Sequence, residues 1–211
     1  MDQPETCGTC EKPLDLCVCA AVSPIDNRVS VLILRHPQEQ DRILGTAHIA
    51  TLQLKNSRLL TGLSWPNLAK AVGHAADPKR WGVLYLGPAK TGGGGPRRPV
   101  TAVGKKGDAL PGQDEILGAL EGIIVLDGSW QQAKALWWRN AWLLKCRRLV
   151  LEPSRPSLYG KLRKEPRKES VSTIEAAALA LATLEGDDTL TDRVLEPFRL
   201  LLDKVRAQRR S

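Results

Sequence analysis

The sequence predicts an α/β protein, a mainly parallel sheet flanked by helices and preceded by a small knuckle of four cysteines. Short apolar runs such as Val29–Leu34 (VSVLIL) and Gly122–Asp127 (GIIVLD) have the length and β-branched character of buried strands. Segments with helical spacing separate these runs, and that alternation is the signature of parallel strands joined by helical crossovers. Four of the five cysteines crowd into the stretch Cys7-x2-Cys10-x6-Cys17-x-Cys19.

The knuckle occupies residues 1–24. So short a segment cannot build an apolar core, and four sulfurs at this spacing suit tetrahedral zinc, with Gly8 and Pro13 turning the chain between pairs. Disulfides are the competing reading, disfavoured in a reducing compartment. Four sulfur ligands leave no open position for water, so the zinc is structural. Cys146 stands apart as a small buried apolar residue.

The main domain runs from 25 to 211. Val29–Leu34 ends at Arg35-His36-Pro37, and Gln38–Leu52 carries helical spacing. Arg58–Leu63 reads as a second short strand, Ala69–Ala76 as a short helix and Gly82–Leu86 as a strand closed by Gly87-Pro88. From 89 to 113 the chain is rich in Gly, Pro and Lys. The run Gly92–Gly95 lacks the Lys-Ser/Thr and helix start of a phosphate-binding loop, so a flexible basic loop is expected. Asp114–Leu120 then reads as a helix, Gly122–Asp127 as the clearest strand and Gln131–Leu143 as the clearest helix. Arg148–Leu151 is a further strand, and helices over Ile174–Leu184 and Asp192–Gln208 close the chain.

The net charge of +8 is unevenly spread. Between Lys134 and Ser170 stand eleven Lys/Arg against Glu152, Glu165 and Glu169, and Lys204, Arg206, Arg209 and Arg210 follow near the end. Such clustering suits a phosphate backbone, with a solvated face as the plainer alternative. The longest apolar runs are too short to cross a bilayer, and the acidic, polar start lacks the pattern of a signal peptide. A cytoplasmic location is expected.

Two segments have the form of a capping box, Ser129-Trp-Gln-Gln132 and Ser172-Thr-Ile-Glu175. The first follows Asp127 at the end of a buried strand, where open α/β sheets bind ligands. Gly128 permits close backbone approach, the helix start can receive a carboxylate, and Trp130 offers an apolar wall. A ligand site and a merely structural capped turn both remain compatible with these residues.

Taken together, the cysteine knuckle, His36-Pro37-x-Glu39, Asp127-Gly128-Ser129-Trp130 with Lys134, Ser157-x-Tyr159, Arg163-Lys164 and Ser172-Thr173-x-Glu175-Ala176 resemble the DTW-domain family of tRNA-uridine aminocarboxypropyltransferases over nearly the whole chain. One position departs: the family's Asp-x-Thr-Trp has Ser129 in the threonine position, which keeps the hydroxyl and loses a methyl. The resemblance implies a SPOUT-like fold with a C-terminal trefoil knot holding S-adenosylmethionine. It further implies transfer of the 3-amino-3-carboxypropyl group to N3 of a uridine in the tRNA variable loop.

On that reading Asp127 is the candidate base for the N3 proton and Trp130 the wall that keeps the site dry. Leu86, Gly87, Leu126, Gly128, Ser129, Trp130, Ser172, Thr173, Glu175 and Ala176 are the candidate donor-binding residues. RNA contacts fall to His36, Lys134, Tyr159, Arg163, Lys164 and Arg167, with Tyr159 either stacking on a base or packing a turn. Glu39 could hold the donor's amino group or cap a helix. A methyltransferase of the same fold and a non-catalytic RNA-binding module are the alternatives. A metal-dependent hydrolase is disfavoured, because no His/Asp/Glu set with ligand spacing stands outside the knuckle. No protein partner is implied.

Overall fold

The computed structural model describes residues 5–39, 43–84, 98–163 and 171–209. Its strands are β1 (Ser30–Arg35), β2 (Ser57–Thr61), β3 (Trp81–Leu84), β4 (Val100–Val103), β5 (Gly122–Asp127) and β6 (Arg147–Leu151). They form one sheet in the order β2-β1-β5-β3-β6-β4, every pairing parallel except the antiparallel β4–β6 edge. The helices are α1 (Ala47–Gln53), α2 (Leu68–Val72), α3 (Gln113–Gly118), α4 (Trp130–Arg139), α5 (Thr173–Glu185) and α6 (Thr189–Gln208).

Alternation along the central strands gives each face its own core. Val31, Ile33, Ile123 and Val125 point toward α1, α3, α5, α6 and the knuckle, whose Cys10, Leu16 and Val18 share that core. Leu32, Leu34, Ile124 and Leu126 point toward α2, α4 and the 3-10 segment Ala141–Lys145. Gly122 opens β5 because a Cβ there would stand 2.6 Å from the Trp81 indole.

Three expectations change. The helix expected over Gln38–Leu52 begins only at Ala47, since the carbonyls of Ile43 and Gly45 are taken by the Lys12 ammonium at 3.0 and 2.6 Å. The helix expected to reach Leu143 stops at Arg139. There the Asn140 amide donates to Leu136 and Leu63 carbonyls at 2.8 and 3.0 Å and its oxygen accepts from Trp65 N–H at 2.8 Å. Inside the span expected as loop lies β4, whose Ala102 N–H and carbonyl are both satisfied by the Gln113 side chain at 2.8 Å. Four small residues after a Gly/Pro run give too short a pattern to reveal an edge strand.

Pro197 sits inside α6 and denies the Arg193 carbonyl its helical partner. The buried Gln53 amide supplies one at 2.7 Å, while its oxygen accepts from Ser23 N–H at 3.0 Å. No helix among the described residues is long and apolar enough to cross a membrane.

Candidate active site

The sheet's topology defines one crevice. From β1 the chain passes to β2 through α1, on the face of α5 and α6, whereas from β5 it passes to β6 through α4 on the opposite face. Adjacent parallel strands whose connections leave in opposite directions make a switch point, and ligands bind beyond the carboxyl ends of such strands. Arg35 and Asp127 face each other in register at those ends, and His36 N–H donates to the Asp127 carbonyl at 3.0 Å.

Two helix starts close over this crevice. At α4, Gln132 N–H donates to the Ser129 hydroxyl oxygen at 3.4 Å and Ser129 N–H donates to the Gln132 side-chain oxygen at 2.6 Å. Gly128 has φ +145°, and a Cβ there would lie 2.8 Å from Gln132 Oε1, so only glycine admits both the turn and the cap. At α5, the Thr173 hydroxyl donates to Asp127 Oδ1, which joins the two motifs across 46 residues. The other oxygen, Oδ2, has no hydrogen-bond partner among the described residues.

Burial pushes the Asp127 carboxyl above the ordinary carboxylate range. The Thr173 hydroxyl opposes the rise, the Glu39 carboxylate adds to it, and the Arg35 and Arg163 guanidiniums oppose it. Such a carboxylate is a stronger base than an exposed one and keeps one oxygen for a ligand.

The remaining expected site residues divide. Glu175 receives Leu158 N–H at 2.7 Å, the Ser157 hydroxyl at 2.8 Å, and Ser172 N–H and hydroxyl at 2.8 and 2.6 Å, so its carboxylate is spent on holding the 157–158 turn to α5. Leu126 and Ala176 put their side chains into the two cores. Tyr159 packs its turn: the ring is 2% exposed, meets Phe198 edge-on at 5.1 Å and donates its hydroxyl to the Leu44 carbonyl at 2.7 Å, so no face is offered to a base. Arg163 lies over that ring at 5.5 Å. The buried His36 accepts from Gln38 N–H at 3.1 Å through Nδ1, and Lys134 reaches over the half-buried Trp130 at 5.8 Å. Leu86, Gly87, Lys164 and Arg167 lie outside the described residues. Sequence reasoning missed Arg35, and also Thr46, whose hydroxyl oxygen accepts Ile174 N–H at 3.2 Å. Their roles follow from strand and helix pairings that no local pattern reveals.

In the knuckle, sulfur–sulfur distances are 3.7 Å for Cys7–Cys19 and Cys10–Cys17 and 3.6 Å for Cys7–Cys17, and all four sulfurs lie within 4.8 Å of one another. All four cysteines are free thiols. Bonds of about 2.3 Å around one tetrahedral ion place sulfurs about 3.8 Å apart, so the four could hold a metal ion. Backbone N–H groups of Cys10 and Thr9 draw the Cys7 thiol down to about 6, whereas burial and the neighbouring sulfurs push Cys19 up to about 12, so of these two only Cys7 is drawn toward the thiolate before a metal binds.

A half-buried carboxylate at a switch point, between two capped helix starts, defines an α/β protein with a candidate ligand crevice. The DTW domain family matches residues 4–206, and the chain belongs to it. Among curated proteins it is similar to tRNA-uridine aminocarboxypropyltransferase 2 of Mus musculus, 27% identical over 92% of this chain and 61% of the relative. The Drosophila melanogaster protein of that name is 28% identical over 92% and 72%, and tRNA-uridine aminocarboxypropyltransferase A of Arabidopsis thaliana 27% over 97% and 81%. The chain thus spans about three fifths of the mouse relative's length. No solved structure matches.

Proposed function

We propose that this protein transfers the 3-amino-3-carboxypropyl group of S-adenosylmethionine to N3 of a tRNA uridine in the cytoplasm, with the variable loop as target. The observation that carries the reading is Asp127, a half-buried carboxylate with raised proton affinity and one open oxygen, in the crevice formed by the Asp127-Gly128-Ser129-Trp130 motif. The names of its relatives support the substrate and the group.

The donor supplies a carbon already activated by a sulfonium, whose C–S bond breaks with its electron pair going to sulfur, so no general acid is required. The uridine imide must lose its N3 proton, and Asp127 Oδ2 accepts it while Thr173 holds Oδ1 and fixes the carboxylate plane. The resulting N3 lone pair forms the new N–C bond. Trp130 and the backbone at Gly128 wall the crevice, and excluding water favours a step in which opposite charges are annihilated. Lys134 and Arg163 on the rim, with Lys164 and Arg167, contact phosphates. The knuckle takes zinc in a structural role. A SPOUT-like knotted C-terminal half belongs to the same proposal, supported by the parallel sheet and by the chain's return after β6 to set Thr173 against Asp127.

The test is incubation with bulk tRNA and S-adenosylmethionine, then mass analysis of nucleosides. A uridine carrying the aminocarboxypropyl mass, lost in Asp127→Ala, is expected. A methyl adduct would make the protein a methyltransferase, and no adduct with retained RNA binding would make it a binding module.

A further inference from the structure

Helix α4 continues outward from the catalytic motif and carries a feature that the reaction does not use. Trp130, Lys134 and Trp138 stand at i, i+4 and i+8, so they follow one another along one side of the helix over about 12 Å. The inner end is engaged: Lys134 lies over Trp130. At the outer end Trp138 is 76% exposed, the most exposed of the large apolar residues described. α4 does not need it for packing, because Ala133 and Leu136 bury the helix against the sheet and Trp137, beneath the Arg148 guanidinium at 5.5 Å, is partly buried against the same core. Leu144, 51% exposed, follows in the next segment.

An indole exposed to this degree, on a helix that does not need it for packing and with exposed Leu144 in the following segment, offers a broad flat face to a partner. Charge selects the class of partner. From Gly128 to Leu151 the chain carries Lys134, Arg139, Lys145, Arg147 and Arg148 and not one acidic residue, and four of its six tryptophans fall in the same stretch. Aromatic faces interleaved with cations are how proteins hold unpaired nucleotides: bases stack on the rings while phosphates meet the charges. A protein partner matched to the apolar patch alone would leave this excess of positive charge unexplained.

We infer that Trp138 is a stacking platform for an unpaired base of the RNA substrate, flanked by Lys134, Arg139 and Lys145 on the adjoining phosphates, so that α4 leads the RNA from its outer end to the crevice at Asp127. This rests on the proposed tRNA substrate and adds the surface that holds it.

The experiment compares wild type, Trp138→Ala and Trp138→Phe in direct binding to bulk tRNA at fixed salt, in donor binding, in transfer kinetics and in oligomeric state by light scattering. Trp138→Ala is expected to raise the tRNA Kd and KM by about 5- to 150-fold, the range for loss of one stacked base. Donor affinity and kcat should hold, and Trp138→Phe should recover most of the loss. Since Trp138 is exposed, unchanged melting of both variants verifies the fold. Unaltered tRNA binding by Trp138→Ala overturns the inference even if transfer proceeds. So does a wild-type dimer that Trp138→Ala dissociates without loss of RNA affinity, which would make the patch a self-interface, or a wild type that binds no tRNA. Conversely, Trp138-dependent tRNA binding without any uridine adduct would remove the transferase reading and leave this one standing.

Discussion

Glu175 is where the structure makes its sharpest energetic statement. Its carboxylate takes four hydrogen bonds, two of them from the backbone N–H groups of Leu158 and Ser172, in a site only 9% exposed. Replacing it by alanine orphans both N–H groups, each at about 1–3 kcal/mol, while the two serine hydroxyls can rotate to other partners. The expected cost is therefore about 4 kcal/mol. For a chain of this size, about 2–4 °C accompanies each kcal/mol, so the melting temperature should fall by about 8–16 °C. Glu175→Gln keeps one acceptor oxygen. Placed at Oε2, it still serves three donors and abandons only Leu158 N–H, so about half the loss is expected. Because Glu175 also fixes the start of α5, and with it Thr173 against Asp127, both variants should lose transfer activity at temperatures where they remain folded. Thermal unfolding followed by circular dichroism reads the first effect and single-turnover rates the second. An alanine variant melting within about 2 °C of wild type, or a glutamine variant as unstable as alanine, would refute the reasoning.

Asp127→Asn should cut transfer by about 10²–10⁴-fold, as loss of a general base does. Burial raises the Asp127 carboxyl, so ionising it costs the fold: the aspartate protein loses stability relative to the asparagine variant as pH rises above the ordinary carboxylate range, and the gap closes on acidification toward about pH 4. Equal melting of the two at pH 7 would contradict this. Gln53→Leu removes the side-chain bonds to the Arg193 carbonyl and Ser23 N–H, both on exposed residues that water can reach, and should destabilise by about 1–3 kcal/mol, whereas in a Pro197→Ala background the restored helical N–H should recover about 1 kcal/mol of that. Strict additivity in urea unfolding would count against the pairing. Stripping the knuckle with a strong chelator should release thiols to titration and lower the melting temperature, because Lys204 of α6 donates to the Cys17 carbonyl at 2.7 Å and Leu16 and Val18 sit in the main core. A purified protein without bound metal that melts unchanged in chelator would remove the metal from the fold.

What the sequence discloses and what it hides divide along range of interaction. The strand Gly122–Asp127 and both capping boxes are written in a few consecutive residues, and the structure has them where the pattern puts them. The cysteine spacing similarly states that four sulfurs can converge. The outcomes that went otherwise depend on distant partners: Lys12 intercepting the carbonyls ahead of α1, Asn140 ending α4, Gln113 completing β4. The site follows the same rule. That Asp127 ends a strand is local, but that β1 and not β3 brings Arg35 beside it, and that Thr173 holds its carboxylate, follows from sheet order and from the chain's return. Tyr159 illustrates the limit in reverse, since its two readings differ only in whether Phe198 and Leu44 enclose it.

The two capping boxes look equivalent in sequence and differ in charge, and that difference directs a zwitterionic ligand. A helix N-terminus carries about half a positive charge, which an acidic side chain at its first turn neutralises. At α5 the buried Glu175 does so, leaving nothing there for an incoming anion. At α4 the corresponding residue is Gln132, a neutral amide that completes the box with its oxygen and leaves the helix's positive end uncompensated beside Gly128. A donor that carries a carboxylate would thus put it toward α4, which leaves Asp127 Oδ2 free for the uridine proton. Gln132→Glu separates the two functions of this residue. The glutamate can still accept Ser129 N–H, so the cap survives and stability should rise by about 0.3–1 kcal/mol. The added negative charge should nonetheless weaken S-adenosylmethionine binding by about tenfold, whereas the decarboxylated donor analogue should bind both proteins alike. Calorimetric titration of both ligands decides the matter, and equal loss for the two would show that the carboxylate does not rest at α4.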